Sequence, residues 1–220
     1  MRPTLSAEEC RKADRFYLEE HAQTFICAHA ILRTILASYM GSSPSSIEFG
    51  KLPGGKPNLK GCEHLHFSLS HSGDMVLIAV ALGREVGIDV EVIRPLPDLE
   101  DIARSFFAPG ERDDLLGLAP DERVPAFFNC WTRKEAFVKA IGTGLLHPLD
   151  SFRVTLLPAE PAAFVTIGDA AAGHTQWSLH DIRPAPGYAA ALAVEARDVS
   201  VHSRSFDSIT ECLSYFSPPA

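Results

Sequence analysis

The stretch Val86-Gly87-Ile88-Asp89-Val90-Glu91-Val92 alternates branched apolar residues with a glycine and two carboxylates, a period of two that predicts a strand with one apolar face. Asp89 and Glu91 then point to the same side, away from Ile88 and Val90. Like charges held that close repel unless a cation lies between them. A hard divalent ion with oxygen ligands, such as Mg²⁺, suits such a pair and keeps positions open for water or substrate. A D-x-E pair also occurs on solvated sheet faces, so the stretch gains weight from its company. Further along, Trp131-Thr132-Arg133-Lys134-Glu135-Ala136-Phe137-Val138-Lys139 reads as a helix on which Glu135 and Lys139, four apart, share a face.

Two upstream segments add groups that bind phosphate. Gly54-Gly55-Lys56-Pro57 places a cation on a loop that can approach a ligand closely. Phe67-Ser68-Leu69-Ser70-His71-Ser72 carries a hydroxyl and an imidazole able to donate to pyrophosphate oxygens. The whole set suits displacement at one phosphorus of a pyrophosphate: Asp89, Glu91 and Glu135 hold the metal, and Lys139 neutralises charge on the departing phosphate.

The 220-residue chain is long enough to bury a sizeable core. Its net charge of −8 argues against a general nucleic-acid binder, which needs a basic surface. No apolar run approaches the length of a membrane span, and Met1-Arg2-Pro3-Thr4 leads into a polar helix, so a cytoplasmic protein with no membrane association is expected. The five cysteines are scattered without a C-x-x-C pair, as reduced thiols would be. Cys62, His64 and His66 would share a strand face, but no fourth zinc ligand stands near them in sequence.

Ser6-Ala7-Glu8-Glu9 is a capping box that starts a helix. Apolar spacing predicts a second over 21–39, ended by Gly41 and Pro44. Strands are expected over 47–49, 65–69, 76–82 and 86–92, with a polar turn at 70–74, and helices over 99–107, 109–116 and 123–141, the last stopped by Gly142 and Gly144. Helix, glycine, proline and strand recur with an offset of a little over one hundred residues, as Leu32 to Phe49 and Ala136 to Phe152. Phe67-Ser68-Leu69 is likewise echoed by Trp177-Ser178-Leu179. The expected fold is α+β, with pseudo-twofold duplicated halves, each a small antiparallel sheet packed with helices, and a ligand cleft between them. The halves would be residues 1–104 and 105–198, followed by a tail, 199–220, with a short helix over 209–216.

The order G-K-P, F-x-L-S-H-S, V-G-I-D-V-E and W-T-R-K-E-A-x-x-K-x-x-G-x-G-L resembles the 4′-phosphopantetheinyl transferases, in the longer two-halved type that accompanies peptide and polyketide synthases. The likeness covers about residues 12 to 195 and takes in Arg15-Phe16-Tyr17 and Pro148-Leu149-Asp150-Ser151-Phe152. It implies transfer of the phosphopantetheine arm of coenzyme A, with Mg²⁺, to a serine of an apo acyl, peptidyl or aryl carrier protein, releasing 3′,5′-ADP; a monomer is implied too. Carried across, Lys56 and Pro57 line the coenzyme A pocket, Ser70 and His71 contact its phosphates, and Asp89, Glu91 and Glu135 bind the metal. Glu135, or a water held by the metal, takes the serine proton. Lys139 binds and stabilises the leaving phosphate or acts as its general acid, and His71 joins Glu135 and Lys139 in the catalytic set. Lys12 would serve the 3′-phosphate of coenzyme A.

The chain departs from the family pattern at Gln23-Thr24-Phe25, where an arginine is usual, so that either Lys12 or Arg33 compensates or coenzyme A is held less firmly at that end. Trp131 reads as a packing residue beside Phe127, Phe128 and Phe137, and Lys134 as a partner for acidic groups or the phosphates. Carrier proteins are acidic bundles, so exposed apolar residues are expected near the site, with Phe106, Phe107, Leu115, Leu116 and Leu118 as candidates. The alternatives are a metal-dependent phosphohydrolase acting on a pyrophosphate, and a non-catalytic module that binds coenzyme A or a carrier.

Overall fold

A computed structural model of the chain describes residues 1–144, 147–168, 170–171 and 176–216. Leu145, which closes the G-x-G-L motif, and the last four residues of the tail lie outside them. The chain forms two compact units, one of 1–50, 59–63 and 202–220, the other of 51–58 and 64–201.

In the first unit the capping box forms: the Ser6 hydroxyl accepts from the Glu9 amide at 3.2 Å and the Glu9 carboxylate from the Ser6 amide at 2.7 Å, opening α1 (Ala7–Ala13). The long helix α2 (Glu19–Met40) ends on Gly41 in the left-handed region, a conformation that glycine adopts without steric cost. Leu5, Ala13, Phe25, Ile26 and Ala30 close a small core, and α2 packs against the terminal helix α6 (Ile209–Phe216). Glu9 ties the unit together, taking His29 Nδ1 at 2.9 Å and Arg33 Nε at 2.8 Å. Arg33 Nη1 donates onward to the carbonyls of Pro44 and Ile47, so this arginine is wholly buried and bonded. The expected strand at 47–49 forms two residues later, as β1 (Phe49–Lys51), because Ile47 is turned into the core after a short 3₁₀ turn over Pro44–Ser46.

The second unit is a mixed α+β body of small antiparallel sheets and helices. It opens with the glycine loop and the first residues of β2 (Pro57–Leu59). Strands β3 (Leu65–Ser72) and β4 (Met75–Leu82) form a hairpin. Strand β3 starts beyond Cys62, so the Cys62-His64-His66 alternation does not lie on one strand. The strand also runs on through Ser70 and Ser72, leaving only Gly73-Asp74 for the turn expected over five residues. A second sheet has the order β5 (Val86–Val92), β10 (Tyr188–Val194), β9 (Ser178–Ile182), with Asp89 opposite Ala191 and Glu91 opposite Ala189. Strands β6 (Phe152–Val154), β7 (Phe164–Ile167) and β8 (Ala170–Ala171) form a third.

Period-two alternation gives the central sheet two distinct faces. Val86, Ile88, Leu192 and Val194 pack with Ala79 of β4. Ala189, Ala191 and Ala193 join Ala136, Phe137 and Ala140 of α5 (Pro120–Ile141) on the other side. Small residues let helix and sheet approach closely. A Cβ on Gly87 would stand 2.0 Å from the Ala136 carbonyl oxygen and 2.4 Å from the Ala140 nitrogen. Helix α5 starts on Pro120 and absorbs Pro125 one turn in, where the proline forgoes a single helical hydrogen bond. Helices α3 (Leu99–Phe106) and α4 (Pro109–Gly117) add Leu99, Ala103 and Leu115 to the same core. No helix among the described residues is long and apolar enough to cross a membrane.

Candidate active site

Residues 87, 89 and 91 occupy the face of β5 that meets α5. Asp89 is nearly sealed from solvent and receives two partners at one oxygen: Lys139 Nζ at 2.6 Å and the Ser70 hydroxyl at 2.8 Å, both on Oδ1. Among the described residues its Oδ2 is buried with no hydrogen-bond partner, an arrangement that costs free energy unless something else meets that oxygen. Burial raises the Asp89 pKa despite Lys139 and Ser70. The Glu135 pKa is raised by burial, then by Asp89 and by Glu91, while Lys139 opposes the rise. Glu135 thus feels two acidic neighbours and the Lys139 ammonium. Glu91 is held by the Ser72 hydroxyl at 2.8 Å, with exposed Arg94 3.9 Å away.

The donor set suits a hard divalent cation: a buried carboxylate oxygen without a hydrogen-bond partner among the described residues, a second carboxyl, Glu135, raised by burial and by the charges of Asp89 and Glu91, and excess negative charge. Among the described residues no three His, Cys, Asp or Glu side chains stand together as a preformed metal cage. Lys139 holds Asp89 in this arrangement, and its side chain remains about one-third exposed.

Ser70 joins the carboxylates, whereas His71, the next residue along β3, falls on the opposite face and is exposed. Lys56 is placed differently from a loop cation waiting for phosphate. Its Nζ meets Glu85 at 2.6 Å, the Ala140 carbonyl at 2.7 Å and the Val86 carbonyl at 3.1 Å, which accounts for all three donors of an ammonium. Burial lowers its pKa, against the pull of Glu85. Pro57 is exposed at the start of β2. Lys12 lies exposed on α1, with Nζ 4.9 Å from the centre of the Phe25 ring. Buried Arg33 cannot take over the 3′-phosphate, because Glu9 and two carbonyls hold it inside the first unit.

Lys134, one residue before Glu135, is fully buried and paired with equally buried Glu111 at 2.8 Å, and donates to the carbonyls of Leu149 and Phe152. It is a structural cation far from solvent. Trp131 stacks on Phe127 and meets Phe106 edge-on. With Leu96, Ile102, Phe127, Phe128, Arg94 and Glu91 it lines a pocket of about 140 Å³. Of the expected surface hydrophobes, Phe107 and Leu115 are core, whereas Phe106 is 44% exposed.

One pattern was readable in the sequence and unused: the serines at 68, 70 and 72 are spaced by two. Their hydroxyls accept from the amides of Ile88, Val90 and Val92 at 3.1, 3.3 and 3.1 Å. Side chains of β3 thereby satisfy the β5 edge that β10 does not reach.

Acidic groups set where a strand meets a helix, with a lysine and hydroxyls among them, have the chemistry to hold a polyanion through a cation. Comparison with known proteins gives that class a family. The model of the 4′-phosphopantetheinyl transferase superfamily matches residues 85–193, and that of the 4′-phosphopantetheinyl transferase N-terminal region matches residues 2–82. The chain is 40% identical to the 4′-phosphopantetheinyl transferase HetI of Nostoc sp. over 87% of its own length and 78% of that protein's. It is 39% identical to a 4′-phosphopantetheinyl transferase of Bacillus subtilis, over 71% of this chain and 68% of the other. Among solved structures, the holo-[acyl-carrier-protein] synthase of Thermotoga maritima aligns with 51% of this chain and 64% of its own at 26% identity and a TM-score of 0.40. The chain belongs to the 4′-phosphopantetheinyl transferase family.

Proposed function

We propose that the chain moves the 4′-phosphopantetheine arm of coenzyme A onto a serine hydroxyl of an apo carrier protein of the acyl, peptidyl or aryl type, releasing 3′,5′-ADP. The observation that carries the reading is Asp89, gripped on one oxygen by Ser70 and Lys139 and unpartnered on the other, with Glu135 close enough to feel its charge.

The serine oxygen attacks the phosphorus that bears pantetheine, and the bond from that phosphorus to the bridging oxygen breaks, leaving 3′,5′-ADP. Mg²⁺ held by Asp89, Glu91 and Glu135 would supply Lewis-acid polarisation of the diphosphate. Glu135 takes the serine proton on this reading, and its raised pKa makes it a better base than a free carboxylate. A bound dication pulls that pKa down again, which limits the gain. Lys139, partly exposed beside Asp89, neutralises the charge that gathers on the leaving phosphate. Ser70 would contact the phosphates only by releasing the Asp89 carboxylate that takes its proton, whereas His71 contacts them as a member of the catalytic set, Pro57 lines the coenzyme A pocket and Lys12 serves the 3′-phosphate. Lys56 would reach a phosphate only by giving up one of its three acceptors. On this reading residues 1–104 and 105–198 are duplicated halves, whose strands β5 and β10 pair within one compact unit.

Incubation of the purified protein with Mg²⁺, coenzyme A and an apo carrier domain should give a carrier heavier by one phosphopantetheine, read by intact mass. Asp89→Ala should remove that gain while the protein stays folded. Wild-type turnover in the variant would refute the metal assignment.

A further inference from the structure

The serine rungs on β3 do more than close the β5 edge. At each, the hydroxyl accepts from a β5 amide, which leaves its single proton to be aimed elsewhere. At Ser70 the proton goes to Asp89 Oδ1 at 2.8 Å, while Oγ accepts from Val90 at 3.3 Å and from Lys139 Nζ at 2.9 Å. At Ser72 it goes to Glu91 Oε2 at 2.8 Å, with Oγ accepting from Val92 at 3.1 Å. The geometry repeats: each serine serves one amide of β5 and the carboxylate of the residue just before it. At Ser68 the amide is that of Ile88, and the residue before it is Gly87, which has no side chain to hold.

We infer that Ser72 is a positioning residue that sets metal affinity by fixing which oxygen of Glu91 faces the site. The inference rests on the proposed metal-assisted transfer. Backbone orients the hydroxyl, the hydroxyl pins Oε2, and Oε1 is left to ligate. Arg94 Nη1 stands 3.9 Å from the same Oε2, so without the rung Glu91 keeps only a long contact to an exposed arginine, too weak to fix which oxygen faces the site. Groups that orient metal ligands typically contribute about ten- to a hundredfold to metal affinity. Ser70 plays the same part for Asp89, but its oxygen also bonds Lys139, so a Ser70 variant would mix two effects. Ser72 separates them.

Mn²⁺ binding in the presence of coenzyme A, followed by the electron paramagnetic resonance signal of the free ion, tests this without reference to turnover. Ser72→Ala should bind Mn²⁺ about tenfold more weakly than the wild type, and Ser72→Thr, which keeps the hydroxyl, should recover most of the loss. Ser68→Ala is the internal control, because it strands a β5 amide in the same way yet touches no carboxylate. It should lose a similar amount of thermal stability and keep wild-type Mn²⁺ affinity. Unchanged affinity in Ser72→Ala, or an equal loss in Ser68→Ala, overturns the role, provided Asp89→Ala binds Mn²⁺ weakly. If Asp89→Ala binds as the wild type does, or the wild type binds no Mn²⁺, the metal reading fails and takes this role with it.

Discussion

Gly87→Ala asks the smallest question of the fold and expects a large answer. The added Cβ would lie 2.0 Å from the Ala136 oxygen and 2.4 Å from the Ala140 nitrogen, both in the backbone of α5. No rotamer change relieves a clash between two main chains, so strand and helix must separate. Restoring the 3.4 Å of an ordinary contact to the Ala136 oxygen requires a displacement of about 1.4 Å. Overpacking of this kind costs about 1–3 kcal/mol, which for a chain of this size is a Tm lower by roughly 3–10 °C. The functional cost should be larger. Ala136 follows Glu135 and Ala140 follows Lys139, so the retreat carries both functional groups away from Asp89 and breaks the 2.6 Å contact between Lys139 and Asp89. A misplacement of about 1 Å can cost a hundredfold in rate. We therefore expect a folded protein, seen by circular dichroism, with carrier modification slowed about a hundredfold in a timed intact-mass assay. Wild-type rate and Tm in Gly87→Ala would refute the close-approach reasoning, and a lowered Tm with wild-type rate would show that the packing does not position the site.

Burial alone would raise the Glu9 pKa, but the hydrogen bonds of His29, the Ser6 amide and Arg33 bring it from 4.5 down to about 2. A depressed carboxylate stabilises the fold above its ordinary pKa and loses that contribution as the pH falls from 4.5 through about 2, worth at most about 3 kcal/mol. Glu9→Gln should therefore lower the Tm at neutral pH and flatten the Tm profile over that acid window; a profile parallel to the wild type's would discount the cluster. Lys134→Met removes one member of a fully buried ion pair, leaving Glu111 without its counter-charge and with only the amides of Ala108 and Val154 as partners, and should cost about 3–5 kcal/mol, or on the order of 10 °C in Tm. Arg104→Ala breaks an exposed pair with Glu100 at 3.4 Å and should change stability by less than about 1 kcal/mol. Scanning calorimetry compares the two, and equal effects would contradict the burial argument.

What could be read from sequence was whatever local periodicity decides. The alternation in 86–92 gives a strand with Asp89 and Glu91 on one side, and the four-residue spacing of Glu135 and Lys139 gives their shared helical face. What could not be read was where charged groups find distant partners. Lys56 after two glycines has the chemistry of a phosphate ligand, but whether its ammonium meets a ligand or the carbonyls of Val86 and Ala140 is settled by tertiary packing. Arg33 and Lys134 are likewise ordinary helical cations until Glu9 and Glu111, in other helices, bury them. The turn at 70–74 was misplaced for a related reason. Serine, histidine, glycine and aspartate favour turns locally, yet Ser70 and Ser72 stay extended because β5 needs their hydroxyls.

These long-range contacts also explain how an apolar sandwich tolerates three neighbouring carboxylates. Helix α5 is fixed at both ends of the segment that matters. Lys134 locks one end to Glu111 and to the carbonyls of Leu149 and Phe152. At the other, Lys56 binds the Ala140 carbonyl, one of the groups that a helix terminus leaves unpaired, and a cation there also suits the helix dipole. The same ammonium holds the Val86 carbonyl at the start of β5, so one side chain bridges the strand that carries Asp89 and Glu91 to the helix that carries Glu135 and Lys139. Repulsion among the acidic groups pushes strand and helix apart. Gly87 lets the backbones meet, Lys56 and Lys134 keep them there, and Asp89 Oδ2 is left buried with no hydrogen-bond partner among the described residues.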